Sequence, residues 1–289
     1  MARMESFMFM AALISLGLSS VLYIWHVVVL SRTAKLRPIQ GGAAGNTALA
    51  YRFWDPSRFA TMMAVNGLVF LTLSIIGRAT VTGYGPFSNM YEFSMVTAWG
   101  IGAISLYAQW RYRTSVVSAI AMPIALAFLI YAYTLPSRPS PLVPALQQSL
   151  LLTVHVATAM IAYGAFAVGF ASAVLYMVQR NGGVSWLPSA AVLDDIGYRT
   201  VIIGFPFMTL MTVLGALWAD IAWGRYWGWD PKETASLVTW FIYGGYLHAR
   251  TLRGWRGTRS AALLILGFAA VLFTYLGNYF LGGLHSYAG

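Results

Sequence analysis

Apolar runs recur along the chain, each wide enough to carry a helix across roughly 30 Å of hydrocarbon at 1.5 Å per residue. They fall near residues 7–30, 59–77, 92–110, 115–134, 149–178, 199–218, 234–250 and 260–281. This pattern predicts an all-α, polytopic transmembrane helix bundle of about eight spans. Polar and turn-forming residues gather between the runs. The segment 31–57 is the longest of these and carries a glycine-rich centre, Gly41 to Asn46. Residues 136–144 hold four prolines and are expected to be extended. A turn-rich aromatic stretch, Gly83 to Glu92, ends on a carboxylate suited to a helix start. The densest connection is 218–234, which is expected to form a loop at a membrane surface. We divide the chain into an N-terminal helix with its basic loop (1–58) and a main membrane domain (59–289) around that loop.

Composition strengthens the membrane reading. The chain is 59% hydrophobic and only 9% charged, with a mean hydropathy of +0.68, whereas soluble domains carry about a quarter charged residues. A net charge of +10 would suggest nucleic acid for a soluble protein. Here the cations sit between apolar runs, where they orient helices, and a nucleic-acid role is excluded. If Arg3, Arg78, Arg138, Arg225 and Lys232 lie outside, the other thirteen of the 18 Lys and Arg lie inside. The positive-inside rule then places both termini and the tryptophan-rich loop outside. The first apolar run lacks a small-residue cleavage site and is expected to be an anchor rather than a cleaved signal. The excess of Arg over Lys, with abundant Ala and Gly, favours a bacterial plasma (inner) membrane over a plastid thylakoid. With no cysteine, redox or covalent thiol chemistry must draw on a partner or a bound group.

Within 218–234 the chain places Trp218, Trp223, Trp227 and Trp229, together with Tyr226 and five charged residues. Part of this is explained by helix capping: Asp230-Pro231-Lys232-Glu233 has Asp at the N-cap, Pro at the first helical position and Glu at N3. Asp55-Pro56 makes a second such start on the opposite side. Interfacial tryptophan is ordinary at one or two per helix end. Four in one loop suit a large planar ligand such as a porphyrin, whose carboxylates would meet Arg78, Arg225 or Lys232.

The four histidines, His26, His155, His248 and His285, are costly in lipid without a partner, and imidazole is a usual ligand of heme iron. His155, near the start of the fifth span, and His285, after the last, share the side of the tryptophan-rich loop. His248 lies eighteen residues beyond Asp230, about 27 Å deeper at helical rise, and cannot share an iron with that pair. Each has a plain structural alternative. His155 and His285 would be interfacial residues bonded to water, His248 a helix-closing residue, and His26 a satisfied packing residue.

Trp218-Ala219, Trp223-Gly224 and Tyr226-Trp227-Gly228-Trp229-Asp230-Pro231-Lys232-Glu233 resemble the tryptophan-rich WWD signature of the heme-handling membrane proteins of cytochrome c-type biogenesis. Gly85 to Glu92, Val154-His155-Val156, Tyr246 to Arg250 and Gly283 to Tyr287 are similar to the CcsA (ResC) branch of system II. The resemblance spans about residues 60–287. It implies one subunit of a cytochrome c synthase (heme lyase) complex. Such a subunit works with a CcsB (ResB)-type partner and attaches heme b to apocytochrome c at Cys-x-x-Cys-His. Carried over by position, His155 and His285 become outer axial ligands, Trp218, Trp223, Trp227, Trp229 and Asp230 the heme platform, and His248 an inner ligand. The partner or His26 would complete the inner site. The alternative function is a heme exporter that delivers its cargo to a chaperone without ligation.

Overall fold

A computed structural model describes residues 2–36, 55–138, 146–147, 149–277 and 281–285. Most of segment 31–57, its glycine-rich centre, the prolines from Pro139 to Pro144 and the end of the chain beyond His285 lie outside the described residues. Eight helices are present among them, as the apolar pattern predicts. They are α1 (Ala2–Leu36), α2 (Pro56–Thr82), α3 (Met90–Tyr112), α4 (Ser118–Thr134), α5 (Ser149–Gln179), α6 (Ala190–Trp223), α7 (Pro231–Leu252) and α8 (Thr258–Leu276). Five stretches, Arg3–Ala34, Pro56–Thr82, Leu150–Gln179, Ala190–Trp223 and Thr258–Leu276, are long and apolar enough to cross a membrane.

The outside of the bundle is apolar and part of the inside is polar, which is how a helical protein in lipid satisfies itself. Phe7, Ile14, Leu18 and Val21 on α1 and Met62, Val69 and Ile76 on α2 are exposed. Small hydroxyl residues point inward: Ser94 on α3 pairs with Tyr275 on α8 at 2.5 Å, and Thr239 on α7 with Thr274 on α8 at 3.1 Å. Helices α3 and α5 cross so closely that a Cβ on Gly164 would stand 2.7 Å from the Gly100 carbonyl carbon and oxygen. Glycine is required there by backbone contact. Helix α1 packs on α2 and α4, while α5 meets α3, α4, α6 and α8, and α7 lies against α6 and α8.

Alternation of helix direction puts the ends of α2, α4, α6 and α8 at one end of the bundle, called here the loop end. A buried ion pair ties it together. The Arg78 guanidinium donates to Glu92 at 2.7 Å and to the Ser137 carbonyl at 2.5 Å. The other Glu92 oxygen accepts from Ser88 N and Oγ, both at 2.8 Å. At 1% and 0% side-chain exposure, these two charges are affordable only as a pair. Asn89 caps α3 by accepting from the Glu92 amide. Together they fix residues 88 and 89 at the start of α3. At the far end, Arg250 holds Asp194 with two bonds, of 2.9 and 2.6 Å, joining α7 to α6.

Candidate functional site

A cavity at the loop end is lined by Phe87, Ser88 and Asn89 before α3, Phe93 on α3, and His155 and Tyr163 on α5. Met211, Gly215 and Trp218 on α6, Tyr226 and Trp227 in the loop, Lys232 and Glu233 on α7, and His285 complete it. The structure therefore brings His155 and His285, 130 positions apart in the sequence, to one cavity.

Both imidazoles are held by the same nitrogen. His155 Nδ1 lies 2.8 Å from the carbonyl oxygen of Met211. A carbonyl only accepts, so Nδ1 carries the hydrogen and Nε2 the lone pair. The ring fits because residue 215, one turn beyond Met211, is glycine: a Cβ there would stand 2.8 Å from His155 Cε1. His285 Nδ1 lies 2.8 Å from Asp230 Oδ2. Burial pushes the His285 imidazole below its usual range despite the nearby Asp230 charge. Burial raises the Asp230 carboxyl, but bonds from His285, Leu284 and Lys232 outweigh it and hold the group below the usual carboxylate range. A neutral imidazole thus donates to an ionised carboxylate, again leaving the lone pair on Nε2. Two neutral imidazoles, each steered through Nδ1, fit an iron ligand set.

The local fold explains how the loop reaches this point. Helix α6 ends at Gly224 with φ 72°, and the chain turns back over the helix end. Glu233 then closes a capping box, accepting from Asp230 N at 3.2 Å and Gly228 N at 2.8 Å. The capping predicted for Asp230 to Glu233 is present, and the same Asp230 carboxylate also binds the C-terminal segment.

The four tryptophans do not form one surface. Trp218 and Trp227 line the cavity. Trp223 packs edge-on to Trp218 at 4.8 Å and to His285 at 4.9 Å, bracing the imidazole. Trp229 has φ 56° and is 70% exposed, with Trp227 edge-on at 5.9 Å. Of the three cations considered for ligand carboxylates, Lys232 lines the cavity, with its ammonium 5.7 Å from the Phe93 ring centroid. Arg78 is buried in its pair with Glu92, and Arg225 is exposed beside Gly228.

The remaining histidines lie elsewhere. His248 is exposed on α7, near the far end of the bundle. His26 is buried on α1, its Nδ1 3.3 Å from Asp55 Oδ1 without hydrogen-bond geometry. Its helix packs on α2 and α4, whereas α7 packs on α6 and α8. Sequence reasoning missed Met211, Gly215, Phe93 and Tyr163, since nothing along the chain marks a carbonyl or a gap between helices as part of a site. Phe87 to Asn89 carried a signal in the turn-rich segment that resembles the family.

An all-helical membrane bundle with a two-histidine, aromatic-walled cavity at one end defines a class that the comparisons make specific. A family profile described as Cytochrome C assembly protein matches residues 87–285, from the first cavity residue to the last. The chain belongs to that family. It is similar to proteins named Cytochrome c biogenesis protein CcsA. It is 38% identical to the one from Prochlorococcus marinus (strain MIT 9312) over 251 residues, 76% of this chain and 81% of that one. For Guillardia theta the identity is 37% over 250 residues, covering 76% and 83%. For Pyropia yezoensis it is 33% over 279 residues, covering 80% and 87%. A solved structure titled Cytochrome c Heme Lyase CcmF superposes with a TM-score of 0.58 at 20% identity, covering 91% of this chain and 46% of that chain. That likeness is one of fold.

Proposed function

We propose that the chain handles heme b in cytochrome c biogenesis, holding it at the loop end between His155 and His285 for attachment to apocytochrome c. The observation that carries this reading is the shared tautomer: both imidazoles lining one cavity are anchored through Nδ1. Membership of a cytochrome c assembly family, with relatives named for cytochrome c biogenesis, supports the reading. Lys232, which lines the cavity, would meet a heme carboxylate, and Trp218 and Trp227, which line it too, would meet the macrocycle.

The chain's part is positioning. Thiol addition across a heme vinyl group is redox-neutral: a carbon–sulfur bond forms and the thiol hydrogen goes to the adjacent vinyl carbon. With no cysteine of its own, the chain draws both sulfurs from the Cys-x-x-Cys-His segment of the client. That segment's histidine would then take the place of His155 or His285 as a ligand. Held contact between reacting atoms is worth several kcal/mol.

His248 belongs to a second station at the opposite end. An exposed imidazole on a membrane helix needs a partner, and a CcsB (ResB)-type subunit packing there would supply one. His26, buried on a different helix pair, is the less suitable second ligand. The positive-inside count orients the loop end to the outside of a bacterial plasma membrane. The test is the visible spectrum of the full chain, with and without the partner, for wild type, His155→Ala, His285→Ala and His248→Ala, followed by heme staining of a co-expressed apocytochrome. Equal heme content in all of them would defeat the ligand roles. Bound heme without covalent product would point to export to a chaperone.

A further inference from the structure

Asp230 makes more bonds than a helix cap requires. A cap needs one side-chain oxygen on an N2 or N3 amide, and Oδ2 meets this by accepting from Lys232 N at 3.1 Å. The same Oδ2 takes His285 Nδ1 at 2.8 Å, and Oδ1 takes the Leu284 amide at 2.6 Å, 54 positions along the chain. The approach is open only because residue 283 is glycine: a Cβ there would overlap Asp230 Oδ1. Trp218 and Trp223 contact the imidazole from two further directions, at ring-centroid distances of 5.8 and 4.9 Å and interplanar angles of 46° and 76°. The carboxylate is 1% exposed, so little water competes for its lone pairs.

We infer that Asp230 is a positioning residue for His285, which fixes the imidazole in the Nδ1–H tautomer and strengthens Nε2 as a donor to iron. The inference rests on the reading of His285 as a heme ligand. Its physical basis is general: a carboxylate behind a ligating imidazole sets ring orientation and raises its basicity, and losing it typically costs about 10- to 100-fold in metal affinity. His155 is the internal contrast. Its Nδ1–H goes to a neutral backbone carbonyl, so the two imidazoles are backed unequally, one by a charge and one by a dipole.

Capping and positioning separate by substitution. Asn and Ser cap helices about as well as Asp. Asp230→Asn keeps an acceptor near His285 and removes the charge, while Asp230→Ser keeps the cap but is too short to hold the ring. The first readout needs no heme: nitrogen-15 histidine spectra of the full chain in lipid, with four histidines to resolve and His285→Gln identifying the relevant signal. Wild type is expected to show His285 as the Nδ1–H tautomer, and Asp230→Ser a mixture. The second readout is hemin titration and reductive potentiometry of the same proteins. Asp230→Ser is expected to lose about 10- to 100-fold in affinity. Asp230→Asn is expected to retain heme with a higher midpoint potential, about 59 mV for each tenfold of ferric binding lost relative to ferrous.

A wild-type tautomer and wild-type titration in Asp230→Ser would overturn the inference. Should that variant fail to fold, an unchanged potential in Asp230→Asn would do the same. If His285→Ala binds hemin like wild type, the ligand reading fails instead, while the tautomer result still decides what Asp230 does to the ring.

Discussion

The chain contains two Asp-Pro helix starts, one at each end of the bundle, and each puts its aspartate beside a histidine. Asp55 caps α2 through Ser57 N at 3.0 Å and lies 3.3 Å from His26. Asp230 caps α7 through Lys232 N at 3.1 Å and lies 2.8 Å from His285. Both accept from the amide two positions on with proline at the first helical position, although only Asp230 sits in a capping box. They differ in what surrounds them. His285 shares a cavity with a second imidazole, is braced by two indoles and is bonded in good geometry. His26 is buried at the interface of α1 and α2 and has no bond of good geometry at Nδ1. An Asp-Pro-His proximity is therefore no signature of a site. The converging second histidine and the aromatic walls distinguish one.

The strongest way to break this contrast is to remove the imidazoles. His155→Ala and His285→Ala are each expected to lower bound heme at least tenfold, while His26→Ala leaves it within twofold of wild type. Pyridine-hemochrome assay of the purified full chain measures all three. Loss of heme in His26→Ala to the same degree would erase the distinction.

Crowding gives a smaller effect through the same geometry. Gly283→Ala places a Cβ against Asp230 Oδ1, and Gly215→Ala places one 2.8 Å from His155 Cε1. Each should lower hemin affinity about tenfold, within the range for disturbed outer-shell partners. Gly83→Ala serves as control for a generic glycine effect. Its Cβ would meet nothing within 4 Å, although φ 77° still imposes backbone strain. Equal hemin affinity in all three variants would show that ring placement does not matter.

Stability separates the two caps further. Asp55→Ala should cost about 1 kcal/mol, the usual loss of an N-cap, with heme binding unchanged. Asp230→Ala removes a cap and two long-range bonds to a charged group, each worth about 1.5–3 kcal/mol. A melting temperature lower than that of Asp55→Ala is expected. Equal melting temperatures would mean that the C-terminal segment is not held through Asp230.

The fold was largely legible from the sequence because lipid imposes a simple rule: about twenty apolar residues per crossing, with polar residues between. Every apolar window corresponds to a helix, the caps at Asp55 and Asp230 stand where helix-start chemistry places them, and Glu92, expected to open a helix, lies in the first turn of one that Asn89 caps. The site was legible only in part. The two histidines share an end by helix counting, which a one-dimensional pattern contains. The division of the tryptophans was not, because Gly224 in the left-handed region and Trp229 at φ 56° send neighbouring indoles in different directions. Arg78 was also beyond reach. Its pairing with Glu92 crosses a turn, and nothing in the spacing distinguishes a buried structural pair from a cation waiting for a ligand.

The mildest test is acidification of the heme-free protein, and its sign follows from the two titrations. Docked His285 is held below its usual range, chiefly by burial. Released into water it would titrate near 6.5. Below that pH the released form takes up a proton that the docked form resists, so docking is complete above about pH 6.5 and weakens as pH falls. Docked Asp230 is also held below its usual range, because its hydrogen bonds outweigh burial. Its contribution is present above about pH 3.9 and lost as pH falls further. Both groups push the same way, and the histidine acts first. The Leu284 amide, bonded to Asp230 at 2.6 Å, reports docking by hydrogen exchange once the intrinsic pH dependence of the chemistry is divided out. Its protection should fall between pH 7 and pH 5. The Ser57 amide, bonded to Asp55 at 3.0 Å only two positions away, is the local comparison. If Leu284 keeps its protection through pH 5, the C-terminal segment is held by something other than the His285–Asp230 pair.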